Sequence, residues 1–76
     1  MSVAERVKTV FARMFEVDVR DLSDDTSPAD IPAWDSLNHV NLISALEDEF
    51  DLTFSSYDIQ DLDTCGKLSA YIESEL

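Results

Sequence analysis

A serine at the start of a helical pattern is the residue of this chain that is best placed to do chemistry. Ser36 follows Asp35, and the run from Leu37 to Phe50 repeats apolar residues at the spacing of a helix. Asp35 is a strong candidate for the helix cap, because its carboxylate can accept hydrogen bonds from backbone N–H groups of the next turn. We therefore expect Ser36 to be the first residue of the helix, with its hydroxyl at the N-terminal end of the helix.

A serine nucleophile in an enzyme needs a general base and a group that orients this base within hydrogen-bond distance. His39 is the one histidine of the chain and lies three residues after Ser36, but the sequence supplies no further member of a triad. We therefore predict no catalytic residues and expect His39 to be a surface or half-buried helix residue. Trp34 is expected to pack beside the mouth of the helix.

The helix that begins at Ser36 has two faces. At about 100° per residue, one side collects apolar positions that we assign to the core, namely Val40, Leu42, Ile43, Leu46 and Phe50. A second stripe is assigned to the surface and consists of Leu37, Asn41, Ser44 and Asp48. Leu37 lies near the border of the two, so we expect it to stay partly exposed beside Ser36, where it would contact a partner.

The segments before this helix are a helix and a long loop. Ser2 and Glu5 match a capping box, and apolar residues at helical spacing follow, which predicts a first helix over Val3–Phe15. Its outward basic residues, Arg6, Lys8 and Arg13, are assigned to a solvated face. Residues 16–34 lose the period and contain two prolines, which predicts a loop with one helical turn over Val19–Leu22.

Apolar residues of this loop are expected to hold it against the core at intervals: Val17, Val19, Leu22 and Ile31. The loop also carries a run of acidic residues, Asp18, Asp21, Asp24, Asp25 and Asp30. Their spacing does not supply the ligand positions, glycine and final glutamate of an EF-hand, so we predict no specific calcium site.

Two further helices are predicted after Phe50. Ser55 and Ser56 are candidate caps of a brief helix that holds Tyr57, Ile59 and Leu62, and Thr64 caps a last helix whose inner side includes Leu68 and Ile72. The sequence therefore predicts an all-α fold, a four-helix bundle of three main helices and one short helix, with a long first loop.

Composition limits the classes of function. With 76 residues and 45% hydrophobic content, residues 1–76 are predicted to form a single domain that folds alone. Seventeen acidic and five basic residues give a formal net charge of −12, which disfavours nucleic-acid and membrane partners and favours basic proteins. The other interpretation, which stays open on charge alone, is that acidity only keeps a small protein in solution.

A single cysteine, Cys65, forms no intramolecular disulfide, and with one histidine it cannot supply a four-ligand zinc site. No apolar run approaches the roughly 20 residues that span a membrane, and no signal-peptide core is present at the start of the chain. We expect a cytoplasmic monomer without a metal. Cys65 is favoured as an inert core thiol, with a lowered pKa at the start of its helix as the alternative.

The motif Asp35-Ser36-Leu37, opening an apolar helix that ends in Leu46-Glu47-Asp48-Glu49-Phe50, resembles the carrier-protein family of acyl, peptidyl and related carriers. Helix order, loop placement and acidity extend the resemblance over nearly all of the chain, as in a stand-alone acyl carrier protein. The resemblance implies that Ser36 receives 4′-phosphopantetheine from coenzyme A, through a separate phosphopantetheinyl transferase. It also implies that Asp35 caps the motif and that Leu37 contacts partners.

The implied function is a non-enzymatic carrier that holds acyl or related intermediates as thioesters and presents them to other enzymes. The implied partners are the transferase, an acyl- or aminoacyl-loading enzyme, and condensing or acyl-transferring enzymes with basic patches. The predicted partner surface is Leu37, Asn38, Asn41, Ser44, Glu47 and Asp48. The alternative from another class is an unmodified acidic helical interaction domain that binds a basic protein.

Two features depart from the usual pattern of fatty-acid-synthesis carriers. Such carriers place acidic residues where this chain has Asn38 and Asn41, and a small residue or glycine where it has Trp34. These departures favour a specialised pathway, such as polyketide or nonribosomal peptide synthesis. The identity of the carried group stays open, as does any contact of Trp34 or His39 with the arm.

Overall fold

Three α-helices form the fold in the computed structural model, which describes residues 2–55 and 59–76. They are α1 (Val3–Phe15), α2 (Ser36–Phe50) and α3 (Cys65–Glu75), and two single 3₁₀ turns lie between them at Val19–Asp21 and Ile59–Asp61. The predicted all-α bundle with a long first loop is confirmed. Of the predicted short fourth helix, the structure describes only the 3₁₀ turn Ile59–Asp61, since Ser56 and Tyr57 lie outside the described residues.

Each helix begins at the side-chain cap that its sequence predicts. Ser2 accepts from the backbone N–H of Glu5 at 3.1 Å. Asp35 caps α2 and Thr64 caps α3 in the same way, at 2.9 Å and 3.1 Å from the N–H groups of Asn38 and Lys67. These bonds satisfy donors that the first turn of a helix leaves without partners.

The core brings together apolar residues from all three helices and both connections: Val7, Val10, Phe11, Leu22, Ile31, Trp34, Leu42, Ile43, Leu46, Phe50, Phe54, Leu62, Cys65, Leu68 and Ile72. The assignment of Val40 to this core is wrong, because its side chain is 58% exposed. Val40 lies two residues before the fully buried Leu42, which places it about 200° around the helix and turns it away from α1 and α3.

The first loop is held at the start of α3. The first N–H groups of this helix donate to loop carbonyls, from Cys65 to Thr26 at 3.2 Å and from Gly66 to Asp24 at 2.9 Å. A Cβ atom on Gly66 would lie 2.9 Å from the Asp24 carbonyl oxygen, so only glycine permits this approach.

Apolar contacts of the loop follow the predicted intervals with one exception. Leu22 and Ile31 are buried, and Val17 packs against the core. Val19 was also expected to hold the loop and is instead 42% exposed, because the Val19–Asp21 turn buries none of its three residues.

The basic residues of α1 were assigned to a solvated face, but Arg6 and Lys8 are only partly exposed and also bind other elements. Arg6 donates to the Glu49 carboxylate at 3.1 Å and places its guanidinium 4.3 Å from the centre of the Phe50 ring. Lys8 lies 4.0 Å from the carboxylate of Asp24. Arg13 is exposed, as predicted, and lies 3.9 Å from the Glu49 carboxylate. These side chains connect α1 to the end of α2 and to the first loop.

Candidate functional site

Ser36 is the first residue of α2 and its side chain is exposed. Asp35 accepts from Asn38 through its carboxylate and from the backbone N–H of His39 through its carbonyl, at 2.9 Å and 2.8 Å. The backbone N–H groups of Ser36 and Leu37 form no hydrogen bond with any residue that the structure describes. The serine hydroxyl thus stands beside two free donors at the positive end of a helix dipole, a setting that suits an attached phosphate.

An open cleft of about 710 Å³ begins at this serine. One wall is the start of α2 with the end of the first loop, and the other is the turn Ile59–Asp61 with the residues after it. The lining residues are Pro28, Trp34, Asp35, Ser36, His39, Val40, Ile59, Gln60 and Asp63. The lining combines apolar and polar groups, as in sites that take an extended ligand with a few polar anchors.

Trp34 is held rigidly where the first loop enters α2. Only 2% of its surface is exposed, and its ring lies edge-on to Phe11 with centroids 4.9 Å apart and near Phe15 at 6.2 Å. The prediction of a packing residue beside the helix mouth is therefore confirmed. Its indole N–H points to His39.

His39 binds through both ring nitrogens. Its Nδ1 accepts from the indole N–H of Trp34 at 2.9 Å, and its Nε2 lies 2.8 Å from the backbone carbonyl oxygen of Ile59. Indole N–H is only a donor and a carbonyl is only an acceptor, so the imidazole is neutral with its proton on Nε2. Both nitrogens are occupied, so His39 is not available as a general base for Ser36.

Comparison with known proteins identifies the family. The family described as "Phosphopantetheine attachment site" matches residues 5–72. The chain belongs to this carrier-protein family. It is 33% identical over 75 residues to the acyl carrier protein of Solidesulfovibrio magneticus, covering 99% of this chain and 96% of that one. It is 31% identical over 74 residues to the acyl carrier protein of Buchnera aphidicola from Schizaphis graminum, covering 97% and 94%.

Solved carrier-protein structures have the same fold. A structure assigned as an acyl carrier protein of Mycobacterium tuberculosis superimposes with a TM-score of 0.87 at 28% identity, covering 99% of this chain and 100% of that one. The acyl carrier protein of Enterococcus faecalis gives a TM-score of 0.82 at 26% identity, with both chains covered completely.

The family establishes the general chemistry. This chain is a carrier protein and a substrate of other enzymes rather than a catalyst, and its prosthetic group is 4′-phosphopantetheine. Carrier proteins of this kind interact with phosphopantetheinyl transferases and with synthesis enzymes. Among the described residues, no helix is long and apolar enough to cross a membrane, and no cluster of three or more ligating side chains is present.

The exposed face of α2 in this carrier is apolar and neutral in its first two turns. Leu37 is 73% exposed, as predicted, and Val40 adds a second exposed apolar side chain that sequence periodicity had placed in the core. Asn41 and Ser44 are also exposed, and a negative charge appears only at Asp48.

Two residues of the predicted partner surface bind within the carrier itself. The side-chain amide of Asn38 donates to the carbonyl of Ala33 at 2.7 Å, where it holds the end of the first loop. The carboxylate of Glu47 accepts from the backbone N–H of Phe54 at 2.8 Å, where it holds the chain after α2. Both residues are half-buried, so the more open part of the predicted surface is Leu37, Asn41, Ser44 and Asp48.

Cys65 is the first residue of α3 and is fully buried. Burial raises the pKa of its thiol to about 11, because the charged thiolate would lose its hydration. A lowered pKa, the alternative from the sequence, is therefore wrong, and the inert core thiol is the correct interpretation. At the rim of the cleft, a hydrogen bond from Lys67 lowers the pKa of the exposed Asp63 carboxyl.

Proposed function

We propose that Ser36 is the residue to which 4′-phosphopantetheine is attached, and that the carrier holds acyl or related intermediates as thioesters on this arm. The observation that carries the proposal is the exposed Ser36 hydroxyl at the start of α2, opening onto a cleft of about 710 Å³. When bound, the arm supplies a terminal thiol that forms the thioester.

The chain's own residues would hold the start of the arm. The free N–H groups of Ser36 and Leu37 suit the oxygens of a phosphodiester, and the dipole of α2 favours its negative charge. The carboxylate of Asp35 opposes that charge, but it accepts from Asn38 and so fixes the first turn on which Ser36 stands. Trp34, His39 and Ile59 line the cleft that an arm on Ser36 enters.

The chemistry of the partner surface supports a role in a specialised pathway, such as polyketide or nonribosomal peptide synthesis. Exposed Leu37 and Val40 with neutral Asn41 offer an apolar contact on α2 itself, whereas the first charge on this face of the helix is Asp48, two to three turns further along. Partners would meet the apolar end directly and bring a basic patch to the acidic end.

We also propose the oligomeric state, the compartment and the partner enzymes of the carrier. The carrier acts as a single domain over residues 1–76 and as a monomer in the cytoplasm. It is modified by a phosphopantetheinyl transferase, charged by an acyl- or aminoacyl-loading enzyme, and used by condensing or acyl-transferring enzymes. The net charge of −12 supports protein partners that are basic.

Intact-protein mass after incubation with coenzyme A and a broad-specificity phosphopantetheinyl transferase tests the attachment. We expect wild type and Ser44→Ala to gain the mass of one arm, and Ser36→Ala to fold normally and stay unmodified. Ser44 is the matched control, since it is an exposed serine on the same helix. Modification of Ser36→Ala would overturn the assignment of this serine.

The same experiment addresses the alternative function. If several transferases leave the folded wild type unmodified, the carrier proposal fails and an acidic domain that binds a basic protein without an arm takes its place.

A further inference from the structure

A chain of two hydrogen bonds crosses the cleft beside Ser36. It runs from the indole of Trp34, two residues before the serine, through His39 on α2 to the carbonyl of Ile59 on the opposite wall. The bonds are 2.9 Å and 2.8 Å long, and the planes of the Trp34 and His39 rings are inclined by 29° with centroids 5.9 Å apart. One side chain thus connects the entry to α2 with the far wall of the cleft.

The direction of both bonds is determined by the neighbours of His39. The Trp34 indole can only donate, so Nδ1 must accept. The atom of Ile59 that Nε2 contacts is the carbonyl oxygen, which can only accept, so Nε2 must donate. Trp34 is buried and packed against Phe11, which keeps its N–H in one position. The aromatic cluster therefore selects the tautomer that binds the opposite wall.

The bond from His39 joins the Ile59–Asp61 turn to α2, in addition to the packing of Ile59 against the core. Among the hydrogen bonds between residues that the structure describes, the bond from His39 is the one that joins the turn to α2. The turn itself is closed by the N–H of Leu62, which donates to the same Ile59 carbonyl at 3.3 Å. Ile59 and Gln60 form part of the cleft wall, so the position of the turn sets the width of the cleft.

We propose that His39, neutral and protonated at Nε2, is a positioning residue that holds the Ile59–Asp61 turn against α2 and so sets the width of the cleft that an arm on Ser36 enters. This inference rests on the attachment proposed above and deepens it. Loss of the bond lets the turn move away from α2, and a carried acyl group then becomes more accessible to attack from solvent. The selection of the tautomer by Trp34 stands without the arm.

Three substitutions of His39 separate its two bonds. His39→Gln places an amide nitrogen the same number of bonds from the backbone as Nε2, so it keeps a donor for Ile59. His39→Asn places an amide oxygen at the distance of Nδ1, so it keeps an acceptor for Trp34 and loses the bond to Ile59. His39→Leu keeps apolar bulk and loses both bonds.

The first readout uses the protein without an arm. In wild type we expect the imidazole ¹⁵N shifts of the Nε2–H tautomer and a Trp34 indole proton shifted by its hydrogen bond. Amide hydrogen exchange of Leu62 reports opening of the turn, and that of Leu46 on α2 reports opening of the bundle. We expect His39→Asn and His39→Leu to make exchange at Leu62 about two to ten times faster, the effect of losing one hydrogen bond, with Leu46 unchanged.

The second readout uses the protein loaded with acetyl or octanoyl groups. Hydroxylamine cleaves an exposed thioester faster than a shielded one, so His39→Asn and His39→Leu should increase octanoyl cleavage about two- to tenfold. Acetyl cleavage should change less, because a short group reaches less of the cleft. His39→Gln should match wild type in both readouts.

The outcomes separate this inference from the proposed function. An Nδ1–H tautomer in wild type, or equal Leu62 exchange in wild type and His39→Leu, would overturn the positioning role even if Ser36 is modified. A parallel increase at Leu46 would overturn it as well, since His39 would then stabilise the whole bundle. Octanoyl cleavage that is equal in all four proteins would overturn the link to the cleft. Failure of wild type to accept an arm would refute the proposed function, while the amide exchange would still decide the role of His39.

Discussion

The two ends of α2 have opposite surroundings although they belong to one continuous helix. At its start, Ser36, Leu37 and Val40 face solvent around an open cleft. At its end, Phe50 is buried and Glu49 binds Arg6 of α1. The proposed attachment at Ser36 requires this residue to be open to several enzymes. One helix meets that need because its last turn is anchored in the bundle while Ser36, Leu37 and Val40 stay exposed.

Substitution at the anchored end should have the largest effect on stability. Phe50→Ala removes a buried ring that also contacts the Arg6 guanidinium, so we expect the free energy of unfolding to fall by about 3–5 kcal/mol. Urea unfolding followed by circular dichroism measures this loss. A fall no larger than that of an exposed substitution such as Ser44→Ala would show that the end of α2 is not anchored through Phe50.

Substitution at the open end should affect partners instead of stability. Leu37→Ala should change the free energy of unfolding by less than about 0.5 kcal/mol, because the side chain is exposed. It should lower kcat/KM for modification by a phosphopantetheinyl transferase about tenfold if Leu37 is a main apolar contact. Val40→Ala tests the neighbouring contact. Equal losses of stability and modification would mean that Leu37 belongs to the core.

Substitution of Asp51, the capping residue that follows α2, should increase stability. Asp51 has a left-handed backbone, with φ of 54°, which is costly for a residue with a side chain. Asp51→Gly should therefore raise the free energy of unfolding by about 1 kcal/mol. Asp48→Gly is the matched control, since glycine inside the helix should lower it by a similar amount. If Asp51→Gly and Asp48→Gly both lower the free energy of unfolding, the contacts of the Asp51 side chain stabilise the fold by more than its left-handed backbone costs.

The smallest expected effect concerns partner choice at the open end. Asn41→Glu adds a charge that a basic patch on a fatty-acid-synthesis enzyme would meet. The new contact should be worth about 0.2–1 kcal/mol and should raise the initial rate of acyl transfer, mainly through a faster encounter. The measurement is the initial transfer rate at low and high salt with the same acyl arm. A gain that does not shrink with salt would exclude a charge effect.

Asn38→Asp is a less informative companion to that change. The Asn38 amide donates to the Ala33 carbonyl, and a carboxylate at this position cannot donate. The substitution would thus alter the end of the first loop together with the partner surface. For this reason, Asn41→Glu alone tests the effect of charge on partner choice more directly than Asn38→Asp and Asn41→Glu together.

Local patterns in the sequence were sufficient to predict the elements that carry the site. The caps Ser2, Asp35 and Thr64 act on N–H groups three residues away, so their bonds depend on little beyond the neighbouring backbone. The position of Ser36 at the first residue of α2 follows from the same local rule. The motif around it, together with helix order, loop placement and acidity over nearly all of the chain, predicted the carrier family and its prosthetic group, which the comparisons confirm.

Only the tertiary structure decided which side chains are covered and what they bind. Val40 has the residue type of a core position, but its side of α2 is turned away from α1 and α3, so it remains exposed. The basic residue Arg6 binds Glu49, and His39 binds Ile59, over separations of 43 and 20 residues. The physical reason is that periodicity measures direction around one helix, whereas burial and long-range hydrogen bonds depend on where the other elements lie.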